Sequence, residues 1–373
     1  MKKLFTLLLL FIIPVVAKSQ DYYVYVTAES DDQIHLIHFN AQTGMGELAK
    51  TIEVGRYPAE NEGPHGINVS PDGKYVYVSI AHGIPYGFLQ KLDAETGELI
   101  AEAPLGMFPA SMEVSSITGF LYIVNFNLHG DMVPSTVSVV DPELMETITE
   151  IPTGIMPHGS RISSDGKWQY HVSMMTDELI VINTITMEVQ RRLDLVEGAA
   201  EKPKMADHSG HDMSGMNHEM SEGMTMHKTI VKPTWADPHP SKPLVYIAGN
   251  GSNEILEVNT NSWAITKRFK SGKAPYNLEV SPNGKLLVVS YKGEAKSGVW
   301  NLETGKELAR IENSRRITHG VAISNDSKFA FMSVEGVAGE PGSVDIIDLE
   351  SLKRVAVVET GKQAGGIIFW KQN

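Results

Sequence analysis

One repeated unit limits what this chain can fold into. It reads Pro64-His65-Gly66-Ile67-Asn68-Val69-Ser70-Pro71-Asp72-Gly73-Lys74-Tyr75-Val76-Tyr77-Val78. Ile67 and Val69 alternate with polar neighbours, the period of a half-buried strand. Ser70-Pro71-Asp72-Gly73 is a turn: Pro presets φ, Asp bonds its own backbone and Gly accepts a positive φ. Tyr75 to Val78 is a second strand, rich in aromatic and β-branched residues.

The unit recurs at Pro157-His158-Gly159, Pro275-Tyr276-Asn277 and Thr318-His319-Gly320, each followed by a Ser-led turn. Degenerate copies start at Pro109 and Pro233. Further short strands follow each copy, joined by turns such as Asp93-Ala94-Glu95-Thr96-Gly97. The period is about 40 to 50 residues, the size of one blade of a β-propeller. A single blade cannot cover its own apolar faces, so the blades must stack in a ring.

Six copies are complete, starting near Arg56, Met107, Ile155, Val231, Lys273 and Arg315. The first segment, with Tyr22 to Thr27 and Ile34 to Phe39, has no leading strand of its own. Ala364-Gly365-Gly366-Ile367-Ile368-Phe369-Trp370 supplies one and then stops. The expected fold is all-β: a seven-bladed β-propeller over 20–373, closed by its C-terminal strand. Closure removes exposed sheet edges.

Lys2 and Lys3 precede an apolar run from Leu4 to Val16, and small residues follow at Ala17 and Ser19. That pattern predicts a signal peptide over 1–19, too short to span a membrane, and hence a periplasmic or secreted protein. Cleavage there takes the formal charge from −13 to −16. An acidic surface disfavours nucleic acid and anionic lipid and suits cations. The chain has no Cys. Thiolate zinc sites, iron–sulfur clusters, covalent haem attachment and a Cys nucleophile are therefore excluded. Any redox metal must be held by His, Met, carboxylate or backbone.

Tyr25-Val26-Thr27, the Ser-Pro-Asp-Gly-Lys turn and the Thr-Gly turns resemble the YVTN-type seven-bladed propellers, which implies the fold and little about function. The Pro-His-Gly entries resemble, in part, the propeller domain of nitrous oxide reductase. That family places histidines from successive blades around a multinuclear copper centre on the axis. Only His65, His158 and His319 match such entries here, and that family's Cys-bearing second copper domain is absent. Nitrous oxide reduction is therefore not expected.

Blades are related by rotation, so equivalent entry residues point at the axis at one height. His65, His158 and His319 share the position just before the innermost strand; Ala110, Thr234, Tyr276 and Ala364 are read as its counterparts. The loops after the second strands open on the same face and bring Glu29, His82, Asn127, His129, Met174, Met175 and Glu335. Glu29 and Glu335 are candidate acceptors that orient the rings. The three histidines come from blades two, four and seven, so sharing one ion requires a narrow axial mouth. An ordinary imidazole loses metal as pH drops through about 6.5. A His before Gly can equally bond a neighbouring blade's backbone and hold the loop. His35 and His38 fall on an outer strand and His239 in the opposite turn; these read as structural or solvated.

Between the fourth and fifth blades, an insertion over 199–230 contains six Met and four His from Met205 to His227. Other apolar residues are almost missing, so the segment cannot form core, and a disordered loop is expected. Thioethers select Cu(I), and imidazole takes either copper state. The candidate ligands are His208, His211, Met213, Met216, His218, Met220, Met224, Met226 and His227. The segment resembles the Met- and His-rich tracts of exported copper-resistance proteins. A plain linker, or nickel or zinc held by the histidines alone, are the competing readings.

Three functions compete at this stage. The first is an exported copper-binding propeller acting as chaperone, scavenger or sensor. It is expected to be monomeric and to exchange copper with another exported copper protein. The second is an enzyme, either a copper oxidoreductase or a lactonase-like hydrolase. No paired carboxylates or Ser–His–Asp pattern stand out, so hydrolysis rests on fold analogy alone. The third is an interaction scaffold without metal.

Overall fold

Seven four-stranded antiparallel sheets form a ring in the computed structural model. The structure describes residues 20–57, 59–82, 86–197 and 229–373. The expected leader, and the Met- and His-rich stretch from Met205 to His227, lie outside the described residues.

The first blade is the closing one. Its strands are Asp21–Ala28, Gln33–Asn40 and Met45–Glu53, and the innermost strand is Ala364–Gln372. Tyr25 pairs with Ile368 and Val26 with Ile367. The other innermost strands are Pro64–Val69, Pro109–Val114, Pro157–Ile162, Pro233–Pro238, Pro275–Val280 and Ile317–Ile323. The expected ring and its closure are both present.

The repeated turn folds as its residues dictate. Ser70 Oγ donates to Asp72 Oδ1 at 2.7 Å, and the backbone N–H of Lys74 donates to the same oxygen at 3.1 Å. Gly73 sits at φ +73°, where a side chain would strain the backbone. Apolar residues from facing sheets pack between blades. Tyr25, Ile34, Ile67, Val78 and Trp370 form one such cluster, joining the closing strand to the second blade. Trp370 Nε1 donates to Gly73 O at 2.8 Å across that joint.

Blades are also clasped close to the axis. Ser111 Oγ donates to His158 O at 2.7 Å, Thr234 Oγ1 to Tyr276 O at 2.7 Å and Ser290 Oγ to His319 O at 2.7 Å. Each hydroxyl holds the entry residue of the next blade, which fixes the height of these side chains on the axis. Ser333 Oγ donates in the same way to Gly365 O. The first blade's counterpart of the entry histidines is therefore Gly365. The sequence expectation of Ala364 is off by one: Ala364, paired with Ala28, takes the place that Pro64, paired with Ile80, holds in the second blade.

Candidate ligand site on the propeller axis

Repeat position converts directly into a stack of side-chain rings along the axis. The entry ring, in blade order, is Gly365, His65, Ala110, His158, Thr234, Tyr276 and His319. Beside it on the same face lie the residues that follow the second strands: Glu29, Ala81, Phe126, Met174, Asn250, Lys292 and Glu335. Toward the opposite end, the strands present Ile368, Asn68, Glu113, Arg161, Asp237, Glu279 and Ala322.

The three entry histidines converge. The ring centroids of His65 and His319 are 6.0 Å apart, and those of His65 and His158 are 6.3 Å apart. The mouth is narrow enough for rings from blades two, four and seven to meet. They line the top of a small axial cavity. Tyr276 completes the ring, 4.6 Å from His319 and 5.3 Å from His158 between centroids.

The nitrogens of these rings are differently occupied. His158 Nδ1 donates to Thr234 O at 2.8 Å, so its Nε2 is an acceptor, and Tyr276 donates its hydroxyl to it at 3.0 Å. His65 Nδ1 donates to Glu29 Oε2 at 2.9 Å. A carboxylate accepts only, so this contact fixes the ring and turns Nε2 toward the axis. His319 Nε2 lies 3.8 Å from Glu335 Oε1, and its Nδ1 is buried without a partner.

Glu29 holds two histidines. Its second oxygen meets His82 Nε2 at 2.8 Å, and His82 Nδ1 meets His129 Nε2 at 3.2 Å. His129 is exposed. A continuous polar chain thus runs from the surface, through His82 and Glu29, to His65. Phe108 fills the angle of this chain, with centroids 5.2 Å from His65 and 4.9 Å from His82.

Burial sets the charge states. It pushes His158 down to about 3 and His319 well below the ordinary histidine value; neighbouring His65 and Lys292 add to the effect. Both rings are neutral at physiological pH. The expectation of titration near pH 6.5 is therefore corrected for these two. Burial raises Glu29 as well, but His65 and His82 outweigh it and hold the carboxyl far below the usual range. Burial raises Glu335, and Lys292, 3.6 Å away, offsets it only in part.

Met174 packs with Phe108, Ala110 and Phe126 in an apolar cluster that Met175 borders. His239 Nε2 donates to Gly284 O at 3.0 Å in the opposite turn, and His35 accepts from Gly361 N at 3.0 Å. His38 bridges Asp21 and Glu47. All three are structural. Among the described residues, no group of three or more His, Asp or Glu side chains stands ready to hold a metal ion. The third imidazole, His158, has both nitrogens engaged.

Several site residues escaped the sequence reading. Lys292 occupies the same repeat position as Glu29 and Glu335, and the alignment that found those two also contains it. Phe108 precedes an entry proline, as Gly63 and Met156 do, and all three adopt positive φ. Tyr276 was placed in the ring, but its hydroxyl bond to another blade's histidine had no local signal. Arg161, Trp235 and Asn277 line the cavity below and belong to an otherwise ordinary strand pattern.

Fold and axis together define a seven-bladed β-propeller with a histidine-lined axial cavity. No protein-family model matches the chain, and no curated protein matches its sequence. Solved structures share the fold. Hydrazine synthase of Kuenenia stuttgartiensis is 20% identical, with TM-score 0.58 over 79% of this chain and 81% of that one. A functionally unknown protein from Desulfotomaculum acetoxidans DSM 771 is 13% identical. Its TM-score is 0.69 over 94% of this chain and 100% of that one. At these identities the likeness concerns the fold alone.

Proposed function

We propose that this is an exported copper-binding β-propeller that carries copper at its axial histidines and at the Met- and His-rich stretch. The observation behind this reading is the convergence of His65, His158 and His319. An imidazole nitrogen binds an ion at roughly 2.0 to 2.1 Å, and the ring centre lies about 1.2 Å further back. Two rings sharing one ion therefore have centroids no more than about 6.5 Å apart. The measured 6.0 and 6.3 Å satisfy that limit.

The donor chemistry supports the same reading. His65 Nε2 and His319 Nδ1 have no hydrogen-bond partner among the described residues. Glu29 orients His65 as a carboxylate orients a metal-ligating histidine. Burial keeps His319 and His158 neutral, the state in which an imidazole can ligate a metal, and the lone pair of His158 is taken by Tyr276. His158 joins the set when Tyr276 turns away.

The insertion supplies the softer ligands: His208, His211, Met213, Met216, His218, Met220, Met224, Met226 and His227. It connects an outer strand, Glu188–Asp194, to the next innermost strand, Pro233–Pro238. Asp177, in a loop on the entry-histidine face, takes the backbone N–H of Ile230 at 2.7 Å. The described end of the insertion is thus held on that face. Copper caught by the thioethers as Cu(I) can pass to the axis, and from there to another exported copper protein. The signal-peptide pattern over 1–19 supports export of this activity to the periplasm or medium.

Copper stoichiometry tests the reading. The intact protein, a form lacking 205–227 and the double variant His65→Ala/His319→Ala are titrated with Cu(I) under competition. Loss of one copper population in each altered form is expected. An intact chain that binds no copper, or a deletion and double variant that bind as much as the parent, would refute it.

A further inference from the structure

At the rim of the axial mouth two further imidazoles face each other. His82 follows the second strand of blade two, and His129 lies in the loop after the second strand of blade three. Nδ1 of His82 and Nε2 of His129 are 3.2 Å apart. Both belong to the outer chain that ends on Glu29, not to the ring of entry residues.

The tautomer of His82 follows from its other contact. An ionised carboxylate can only accept, so His82 Nε2 donates to Glu29 Oε1 at 2.8 Å and the ring's lone pair stands on Nδ1, toward His129. A metal-ligating histidine is held in the same way, with one ring nitrogen on a carboxylate and the other turned to the ion. The ring of His82 is fixed by its surroundings. A Cβ on Gly63 would stand 2.3 Å from His82 Cδ2, so the ring packs directly on that backbone. Phe108 supports both imidazoles, with centroids 4.9 Å from His82 and 5.3 Å from His129. Solvent reaches the pair: the His82 side chain is 27% exposed, and His129 is exposed.

The ring geometry suits a shared ion. A straight N–H···N bond of 3.2 Å would set the centroids about 5.6 Å apart, whereas two rings converging on one ion would set them about 5.1 Å apart. The measured 5.2 Å is close to the second value, so both rings already lean toward a common point. With metal–nitrogen bonds of roughly 2.0 to 2.1 Å, this nitrogen spacing subtends about 100 to 106° at the ion, near the tetrahedral angle. An all-imidazole pair disfavours Mg²⁺ and Ca²⁺, which take oxygen ligands, and the angle favours Zn²⁺ over Cu²⁺, which prefers a tetragonal arrangement.

We propose that His82 and His129 form a rim site for a divalent cation of the zinc class, chelated between Nδ1 of His82 and Nε2 of His129 and open to water at its remaining positions. The ion displaces the hydrogen that His129 Nε2 holds toward His82, and the exposed ring takes its proton at Nδ1 instead. Because Glu29 also holds His65, an ion at the rim tightens the same carboxylate that orients the axial ring. The site needs neither copper nor the entry histidines.

Zinc chloride is therefore added to the full-length, metal-free protein, selectively ¹⁵N-labelled at histidine. The signals of His82 Nδ1 and His129 Nε2, assigned with His82→Asn and His129→Asn, are expected to shift together with one saturable midpoint. Magnesium chloride at equal ionic strength should leave them in place. His129→Asn alters an exposed side chain and removes one arm of the chelate. It should raise the zinc midpoint at His82 at least about tenfold. No saturable shift, a shift at one ring without the other, or an unchanged His82 midpoint in His129→Asn overturns the proposal. The copper reading is scored on Cu(I) with His65 and His319 altered, so either can fail while the other stands.

Discussion

Tyr276 donates its hydroxyl hydrogen to Nε2 of His158 at 3.0 Å, across two blades of the ring. With His158 Nδ1 committed to Thr234 O, that bond uses the only lone pair the imidazole has. On the proposed function, the phenol and a copper ion would therefore compete for one nitrogen. Tyr276→Phe should lower folding stability by about 0.5–1.5 kcal/mol, the worth of one hydrogen bond, and raise Cu(I) affinity. Denaturant unfolding and a competitive Cu(I) titration read the two effects. A stability loss with unchanged affinity would remove His158 from the ligand set.

Glu29 orients His65 and His82 together, so Glu29→Gln leaves at most one of them correctly held. The amide nitrogen cannot accept a hydrogen bond. Copper affinity at the axis should fall about 10- to 100-fold, the usual cost of losing a partner that orients a ligand. Affinity at the Met- and His-rich stretch should stay put, which a form lacking 205–227 separates. Equal axial affinity in the variant would mean that His65 does not ligate.

Gly66 lies against the next blade. A Cβ there would stand 1.7 Å from the carbonyl oxygen of Ala110, which is backbone and cannot step aside. Gly66→Ala should therefore cost at least about 3 kcal/mol. Gly365 is the control: its nearest neighbour, Thr27 Oγ1, is 3.2 Å from the same hypothetical atom. Gly365→Ala should cost visibly less by urea unfolding.

His171 gives the fold a pH dependence remote from the axis. It is fully buried; burial, with Arg192 adding to it, pushes its value to about 3 from the ordinary 6.5. Between those values the unfolded chain holds a proton that the folded chain does not. Stability should therefore fall as pH drops from about 6.5 toward about 3. His171→Gln should flatten that slope by about one proton. Urea midpoints at a series of pH values measure it, and an unchanged slope would show that His171 titrates normally.

The repeat made the ring legible because each blade carries its own copy of the strand–turn–strand code. The height of His65, His158 and His319 was legible for the same reason. What joins them was not. The Glu29 contact to His65 spans 36 residues and the Tyr276 contact to His158 spans 118. Such pairs depend on which blades face each other across the axis, and no local pattern records that. Trp235 and Asn277 look like ordinary strand residues until their buried atoms are seen without partners. The place of Gly365 was legible too: Gly361-Lys362-Gln363 before the closing strand repeats Gly272-Lys273-Ala274 before Pro275, both ending at positive φ, which aligns Gly365 with Tyr276.

The joint at the first blade also sets an order of events. Ser30 and Gln363, on either side of it, bond at 2.6 Å although 333 residues separate them. Glu29 sits directly beside this joint. Blades two to seven each carry all their own strands, but the first sheet lacks its innermost strand until Ala364–Gln372 has docked. Until then its Asp21–Ala28 edge is open to any other strand. The axial chamber, whose entry ring includes Gly365, is consequently complete only when that strand has docked.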